Sequence, residues 1–194
     1  MSTEENIWES RYQEGVTRWD RGSSSANLSY WLDKQLLKPC RVLIPGCGNG
    51  YEVLTLAKLG FEVVAIDVAP TAIENLRSIL DKENINAELV LGDFFTWNPE
   101  VKFDAIFEQT SLCALPPKEW KQYESKLSDW LKPQGKLFAQ FLQTEREGGP
   151  PFHCELSEMY ALFNQEKWAW SEGYTTQEKE LGIAELLYLL VKIG

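Results

Sequence analysis

The 194-residue chain holds one histidine, His153, and four scattered cysteines, Cys40, Cys47, Cys113 and Cys154. With no C-x-x-C pair, that scarcity excludes a structural zinc site and a disulfide framework. Long apolar runs are missing too: no stretch approaches the roughly 18–20 residues that a bilayer-spanning helix needs. The opening MSTEENIWES is acidic where a secretion signal is basic and then apolar. A cytoplasmic protein with no membrane partner is expected. Basic residues are outnumbered, 19 Lys and Arg against 29 Asp and Glu, giving a formal charge of -10. Such a surface repels a polyanion at long range, which argues against a nucleic-acid partner. Internal repeats and low-complexity tracts are absent as well.

What is present is an ordinary globular composition, 44% hydrophobic and 25% charged, at a length suited to one domain over residues 1–194. From Ile7 to Leu37 apolar residues recur at helical spacing around a break at Arg21-Gly22-Ser23-Ser24-Ser25, predicting two short helices joined by a loop. Residues 1–40 are thus read as a helical segment ahead of a core over 41–194. The core opens with a strand at Arg41–Pro45, a glycine-rich turn, a helix from Tyr51 to Leu59 and a strand from Phe61 to Asp67. A helix from Pro70 to Lys82 follows, then strands at Ala87–Leu91 and Phe103–Phe107, a helix from Lys118 to Leu131 and a strand from Lys136 to Leu142. This alternation predicts an α/β fold, a mostly parallel sheet with helices on both faces. Past Leu156 come a helix, a strand at Lys167–Ser171, a polar turn region and a last strand from Ala184 to Ile193. Two consecutive strands predict an antiparallel closure of the sheet.

The first strand runs into Gly46-Cys47-Gly48-Asn49-Gly50, placing small residues where a ligand approaches backbone at the carboxyl edge of the sheet. A dinucleotide fingerprint wants glycine at the sixth motif position, and here that position is Tyr51. The spacing therefore disfavours a nicotinamide-dependent oxidoreductase, the alternative enzyme class. Asp67 ends the second strand, about twenty residues after the first glycine, where its carboxylate can accept from ribose hydroxyls. The other use for Asp67 is to cap the helix that begins at Pro70. After the third strand, Gly92-Asp93-Phe94-Phe95 offers a carboxylate for an adenine amino group and an aromatic face for its ring. Together these sites describe an adenosine pocket without a phosphate cradle.

Four blocks resemble the thiopurine S-methyltransferase family, and within it the plant-type thiol and halide methyltransferases. They are Trp8-Glu9-Ser10-Arg11-Tyr12 with Glu14-Gly15-Val16-Thr17-Arg18-Trp19-Asp20, then Ile44-Pro45-Gly46-Cys47-Gly48, Phe103-Asp104-Ala105-Ile106-Phe107, and Gly148-Gly149-Pro150-Pro151-Phe152. The resemblance implies a three-layer Rossmann-like fold with a seven-stranded sheet, an antiparallel C-terminal strand and an N-terminal helical lid. It also implies S-adenosylmethionine as cofactor, with S-adenosylhomocysteine as product. The cofactor contacts it implies are Trp8, Tyr12, Trp19, Gly46, Cys47, Gly48, Asp67, Val68, Asp93, Phe94 and Gln109. Tyr12 and Gln109 depart from the thiol and halide branch, which often shows tryptophan at the first position and an aromatic at the second.

The implied reaction is methyl transfer to a small nucleophile: a thiol, a thiopurine, a halide or a related chalcogen compound. The sulfonium already carries the activation, so the protein must align the acceptor and exclude water, with no metal required. Trp8, Tyr12, Trp19 and Phe152 are candidates for a dry aromatic pocket, and Arg18, Arg21 and Arg146 for drawing in an anionic acceptor. For each of them the alternative is core packing or solvated charge. His153, beside the glycine-proline loop, is the candidate general base, and its alternative is a solvated loop side chain. Cys113 reads as a packing residue. A non-catalytic module that binds the cofactor is the third possible function; an aromatic lid favours substrate enclosure over it. A monomer is expected.

Overall fold

Arg41-Val-Leu-Ile-Pro45 forms strand β1, buried from Val42 onward, because a β-branched and leucine run suits a strand covered on both faces. In the computed structural model, which describes residues 3–178 and 183–194, the chain divides into two compact units, Met1–Asn98 and Pro99–Gly194.

The first unit begins with helices α1 (Thr3–Gln13) and α2 (Ala26–Asp33), the latter capped by Ser25, whose side chain accepts from Leu28 N–H. After β1 come α3 (Tyr51–Lys58), β2 (Glu62–Asp67), α4 (Pro70–Glu83) and β3 (Glu88–Leu91). β1 pairs parallel to β2, Leu43 opposite Val64, and β2 pairs parallel to β3, Ile66 opposite Val90. The helix α4 shows why the sequence pattern was readable. Ile73, Leu76 and Leu80 recur every three or four residues and, with Ala72, are all buried. The three larger side chains contribute roughly 1.5–3 kcal/mol each by burial. Pro70 opens the helix and Asn84, in the left-handed region, closes it.

The N-cap of α4 is Ala69, which has no capping side chain. Glu9 of α1 supplies one from 62 residues away, its carboxylate accepting from Thr71 N–H at 3.0 Å and Thr71 hydroxyl at 2.6 Å. Burial raises the Glu9 pKa, and the two Thr71 bonds outweigh that, so it titrates below its ordinary value. A depressed carboxylate stabilises above its unfolded pKa, and that contribution is lost as pH falls through the folded one. Glu9→Ala should cost about 1 kcal/mol, a typical cap, in thermal melts at pH 7. The gap to wild type should narrow at acid pH; an equal gap at pH 7 and pH 4 would remove the cap from the account.

The second unit holds β4 (Phe103–Gln109), α5 (Ser111–Ala114), α6 (Trp120–Trp130), β5 (Leu131–Gln143), α7 (Leu156–Leu162), β6 (Trp168–Trp170), β7 (Tyr174–Glu178) and β8 (Ile183–Lys192). β4 and β5 are parallel, whereas β8 runs antiparallel to β5, β6 and β7. Parallel strands followed by antiparallel closure is the expected order. Part of the stretch read as a polar turn, Tyr174–Glu178, is instead a strand paired to β8. Residues 179–182 of that stretch, like Met1 and Ser2, lie outside the described residues. β4 runs on to Gln109, and β5 starts at Leu131 rather than Lys136. The core of this unit is aromatic: Phe103, Phe107, Phe138, Phe141, Phe163 and Trp168 are fully buried. Trp168 donates its indole N–H to Glu124 at 2.7 Å, which satisfies the one polar atom that its burial brings inside.

Candidate cofactor and acceptor site

At the carboxyl end of β1 the chain turns through three left-handed glycines, Gly46 (φ 55°), Gly48 (φ 53°) and Gly50 (φ 71°). Gly48 N–H donates to Asp67 Oδ2 and Ala69 N–H to Asp67 Oδ1, both at 2.9 Å. Asp67 backbone carbonyl also accepts from Gly92 N–H at 3.0 Å, so the ends of β1, β2 and β3 are tied at one edge. Asp67 does not cap α4 through its first-turn amides; it braces the glycine turn. Buried to 9% exposure, its carboxyl is pushed above the ordinary range by desolvation, against which the Ala69, Gly48 and Val68 amides pull down. Val68, beside it, is half-buried. Asp93 shapes the next turn by accepting from Phe95 N–H at 2.8 Å, with Phe94 and Phe95 edge to face at 5.9 Å.

The N-terminal aromatics stand on this turn. A Cβ added to Gly48 would lie 2.8 Å from the Tyr12 hydroxyl. Trp19 indole N–H donates to that hydroxyl at 3.4 Å, and the Trp19 ring meets Trp8 at 5.2 Å and Tyr12 at 5.7 Å, both edge on. Arg11 lies over Trp8 at 4.8 Å and over Trp19 at 5.9 Å. Asp20 ties the segment down by accepting from the Asn49 amide and, at 3.5 Å, from Tyr51 hydroxyl. Burial first, then Asp67, pushes the Tyr12 hydroxyl far up, so it stays a phenol. Burial, aided by Asp67, likewise keeps Cys47 a thiol, its sulfur turned toward Gly48 carbonyl. The structure thus brings Trp8, Tyr12, Trp19, Cys47, Gly48 and Asp67 together. Arg18 is exposed. Glu9, Arg11 and Asp20 had no assigned role in the sequence; their signal was a position within the matched N-terminal block.

The second unit carries the remaining candidates. Gln109 ends β4 and its side-chain oxygen accepts from Gln140 at 3.3 Å. Thr110 follows at φ 64°, a strained conformation for a β-branched residue, and leads into α5. Phe152 N–H donates to Cys113 carbonyl at 2.7 Å, fastening the Gly148–Phe152 loop, in which both X-Pro bonds are cis, to α5. The Phe152 ring covers Gly149, where an added Cβ would come within 2.5 Å. His153 Nδ1 accepts from Glu145 N–H at 3.3 Å, and Nε2 lies 3.3 Å from Glu155, so both ring nitrogens are engaged. Arg146 is exposed; Cys113 is buried, its thiol pushed well up by desolvation. Glu108, fully enclosed on β4, was missed because a lone glutamate in an apolar run gives no pattern.

A left-handed glycine turn beside a carboxylate held by backbone amides suits the adenosine half of a nucleoside cofactor. Strands alternating with helices, this turn and the acids that follow define a Rossmann-like S-adenosylmethionine-dependent methyltransferase. The thiopurine S-methyltransferase (TPMT) family model matches residues 3–184, and the chain belongs to that family. A probable thiol methyltransferase 2 of Arabidopsis thaliana is 36% identical over 154 residues, covering 78% of this chain and 68% of that protein. A thiocyanate methyltransferase 1 of Brassica oleracea is 31% identical over 159 residues, covering 80% and 70%. Among solved structures, the 1,6-didemethyltoxoflavin-N1-methyltransferase of Burkholderia thailandensis, with S-adenosylhomocysteine bound, shares the fold. Its TM-score is 0.80 at 18% identity, over 98% of this chain and 87% of that one. Family membership sets aside the oxidoreductase alternative. Among the described residues, no helix is long and apolar enough to cross a membrane.

Proposed function

We propose that this protein passes the methyl group of S-adenosylmethionine to a small, soft nucleophile such as thiocyanate, a halide or a simple thiol. The observation that carries the reading is the Tyr12–Trp19–Trp8 cluster standing directly on the glycine turn and Asp67. The plant relatives named for thiols and thiocyanate support the acceptor class.

When bound, S-adenosylmethionine supplies a methyl group already activated on a sulfonium. Asp67 would hold the ribose and Asp93 the adenine amino group, with Phe94 against the ring and the Gly46–Gly48 turn beside the sugar. Trp8, Tyr12 and Trp19 exclude water, which favours an anionic acceptor meeting a cationic centre because the charges cancel as the bond forms. Arg18, Arg146 and Phe152 belong to the acceptor side, and Gln109 to the cofactor side. With both ring nitrogens engaged, His153 serves to brace Glu145 and Glu155 rather than to take a proton. We take residues 1–40 as a lid and 41–194 as the core of one domain. Action as a cytoplasmic monomer completes the reading; four free thiols suit a reducing compartment, and the charge of -10 suits a partner that is not nucleic acid.

The test is transfer of labelled methyl from S-adenosylmethionine to thiocyanate, iodide, hydrosulfide, small thiols and a thiopurine. Transfer to at least one is expected, and Trp19→Ala should raise the acceptor KM by roughly tenfold, about 1.4 kcal/mol of lost contact. Tight cofactor binding without transfer to any of these acceptors would leave a non-catalytic binding module instead.

A further inference from the structure

Glu108 points a carboxyl into the interior of the second unit with 1% of its surface exposed. One oxygen, Oε1, accepts from Leu112 N–H of α5 at 2.8 Å. The other, Oε2, is fully buried with no hydrogen-bond partner. Four groups lie within electrostatic reach of it: Glu185 on β8, Cys113 on α5, Tyr123 on α6 and Cys154 from the segment after Phe152. None carries a positive charge. α5 in turn holds the Gly148–Phe152 loop through Cys113 carbonyl and Phe152 N–H, and the strained Thr110 sits between Gln109 and α5. Glu108 therefore holds the Leu112 amide of α5, alongside Trp120, whose indole N–H donates to Leu112 and Leu115 carbonyls at 2.9 and 3.0 Å, and α5 in turn carries the Phe152 loop.

We propose that Glu108 is a positioning residue for the acceptor side: uncharged, it holds α5 and the Phe152 loop in place, and on ionising it releases them to water. This rests on the reading of Phe152 as part of the acceptor side. A carboxylate with one oxygen unsolvated and a second acid within electrostatic reach is costly in a dry interior, so ionisation drives it toward any opening that hydrates it. Desolvation first, then Glu185, raises the Glu108 pKa from its ordinary 4.5 to about 7, with the Leu112 amide pulling the other way. An acid whose pKa is higher folded than unfolded binds extra protons in the folded state between the two values. Stability of the closed arrangement therefore falls as pH rises from about 4.5 to about 7. The full span favours opening on the order of a hundredfold.

Hydrogen exchange at Leu112 and Phe152 amides reads the opening without requiring methyl transfer. Corrected for intrinsic rates, wild-type protection should drop on the order of a hundredfold between about pH 5 and pH 8.5. In Glu108→Gln, which keeps the shape and an accepting oxygen, protection should stay flat. In Glu185→Gln the wild-type midpoint should move to lower pH. With thiocyanate as acceptor, the wild-type KM should rise across the same interval while the S-adenosylmethionine Kd holds, and Glu108→Gln should remove the rise. Thiocyanate has no proton to give up, so a general-base role would leave its kinetics unmoved. Protection at Leu112 and Phe152 that ignores pH in the wild type, or that varies identically in Glu108→Gln, overturns the proposal. If thiocyanate is not methylated, the acceptor reading fails separately and the exchange data still decide the role of Glu108.

Discussion

Asp67→Ala should weaken S-adenosylmethionine binding by roughly 30- to 1000-fold, that is by about 2–4 kcal/mol. The carboxylate is fixed before any ligand arrives, because Gly48 and Ala69 amides at 2.9 Å set its plane. On the proposed reading, two ribose hydroxyls would then meet an acceptor that needs no reordering, and hydrogen bonds to a charged group are worth about 1.5–3 kcal/mol each. Asp67→Asn keeps the shape and one accepting oxygen, so its loss should be smaller. The raised pKa of Asp67 also sets a direction with pH. Hydroxyl donors favour the ionised form, so affinity should improve as pH climbs above 3.8, the ordinary value for an aspartate. Calorimetric titration at several pH values checks both statements. Affinity of the alanine variant within threefold of wild type would place the ribose elsewhere.

The largest loss of stability from a small change is expected at Gly50. Its φ of 71° already costs a residue with a side chain about 1–2 kcal/mol. An added Cβ would also lie 2.4 and 2.5 Å from the two terminal carbons of Leu76 and 2.9 Å from its Cγ. Leu76 is 0% exposed on α4, so the whole side chain would have to move within a packed core, adding about 1–3 kcal/mol. Gly50→Ala should therefore lower the melting temperature by on the order of 10 °C. Gly60 is a built-in comparison, with a φ of 85° and open space around it. Gly60→Ala carries the backbone cost alone. If the two variants melt together, close packing of the turn against α4 is not what glycine serves at position 50.

Much of the fold was legible because burial leaves a periodic trace. The apolar spacing of α4 and the continuous run of β1 announce themselves, and Pro70 marks where α4 starts. The strand β7 left no such trace, since its Tyr-Thr-Thr-Gln-Glu sequence is polar and reads as a turn. Of the site, the local parts were readable: the Gly46–Gly50 turn and the acids one strand further on each time. The contacts that join distant segments were not. Glu9 reaching Thr71, Asp20 on Asn49 and Tyr51, and Tyr12 over Gly48 depend on how α1 is laid on the first unit.

The order of strands and helices apart from β7, the glycines at the first turn and the carboxylates of Asp67 and Asp93 follow from sequence alone, because each reflects a local demand for burial, backbone freedom or charge. Only the tertiary structure decided that the carboxylate of Asp67 braces the glycine turn instead of capping α4, that Glu9 takes over that cap, and that Glu108 stands enclosed with one oxygen unbonded. Whether a polar side chain is solvated, bonded or stranded depends on which distant elements close over it, and no spacing along the chain records that.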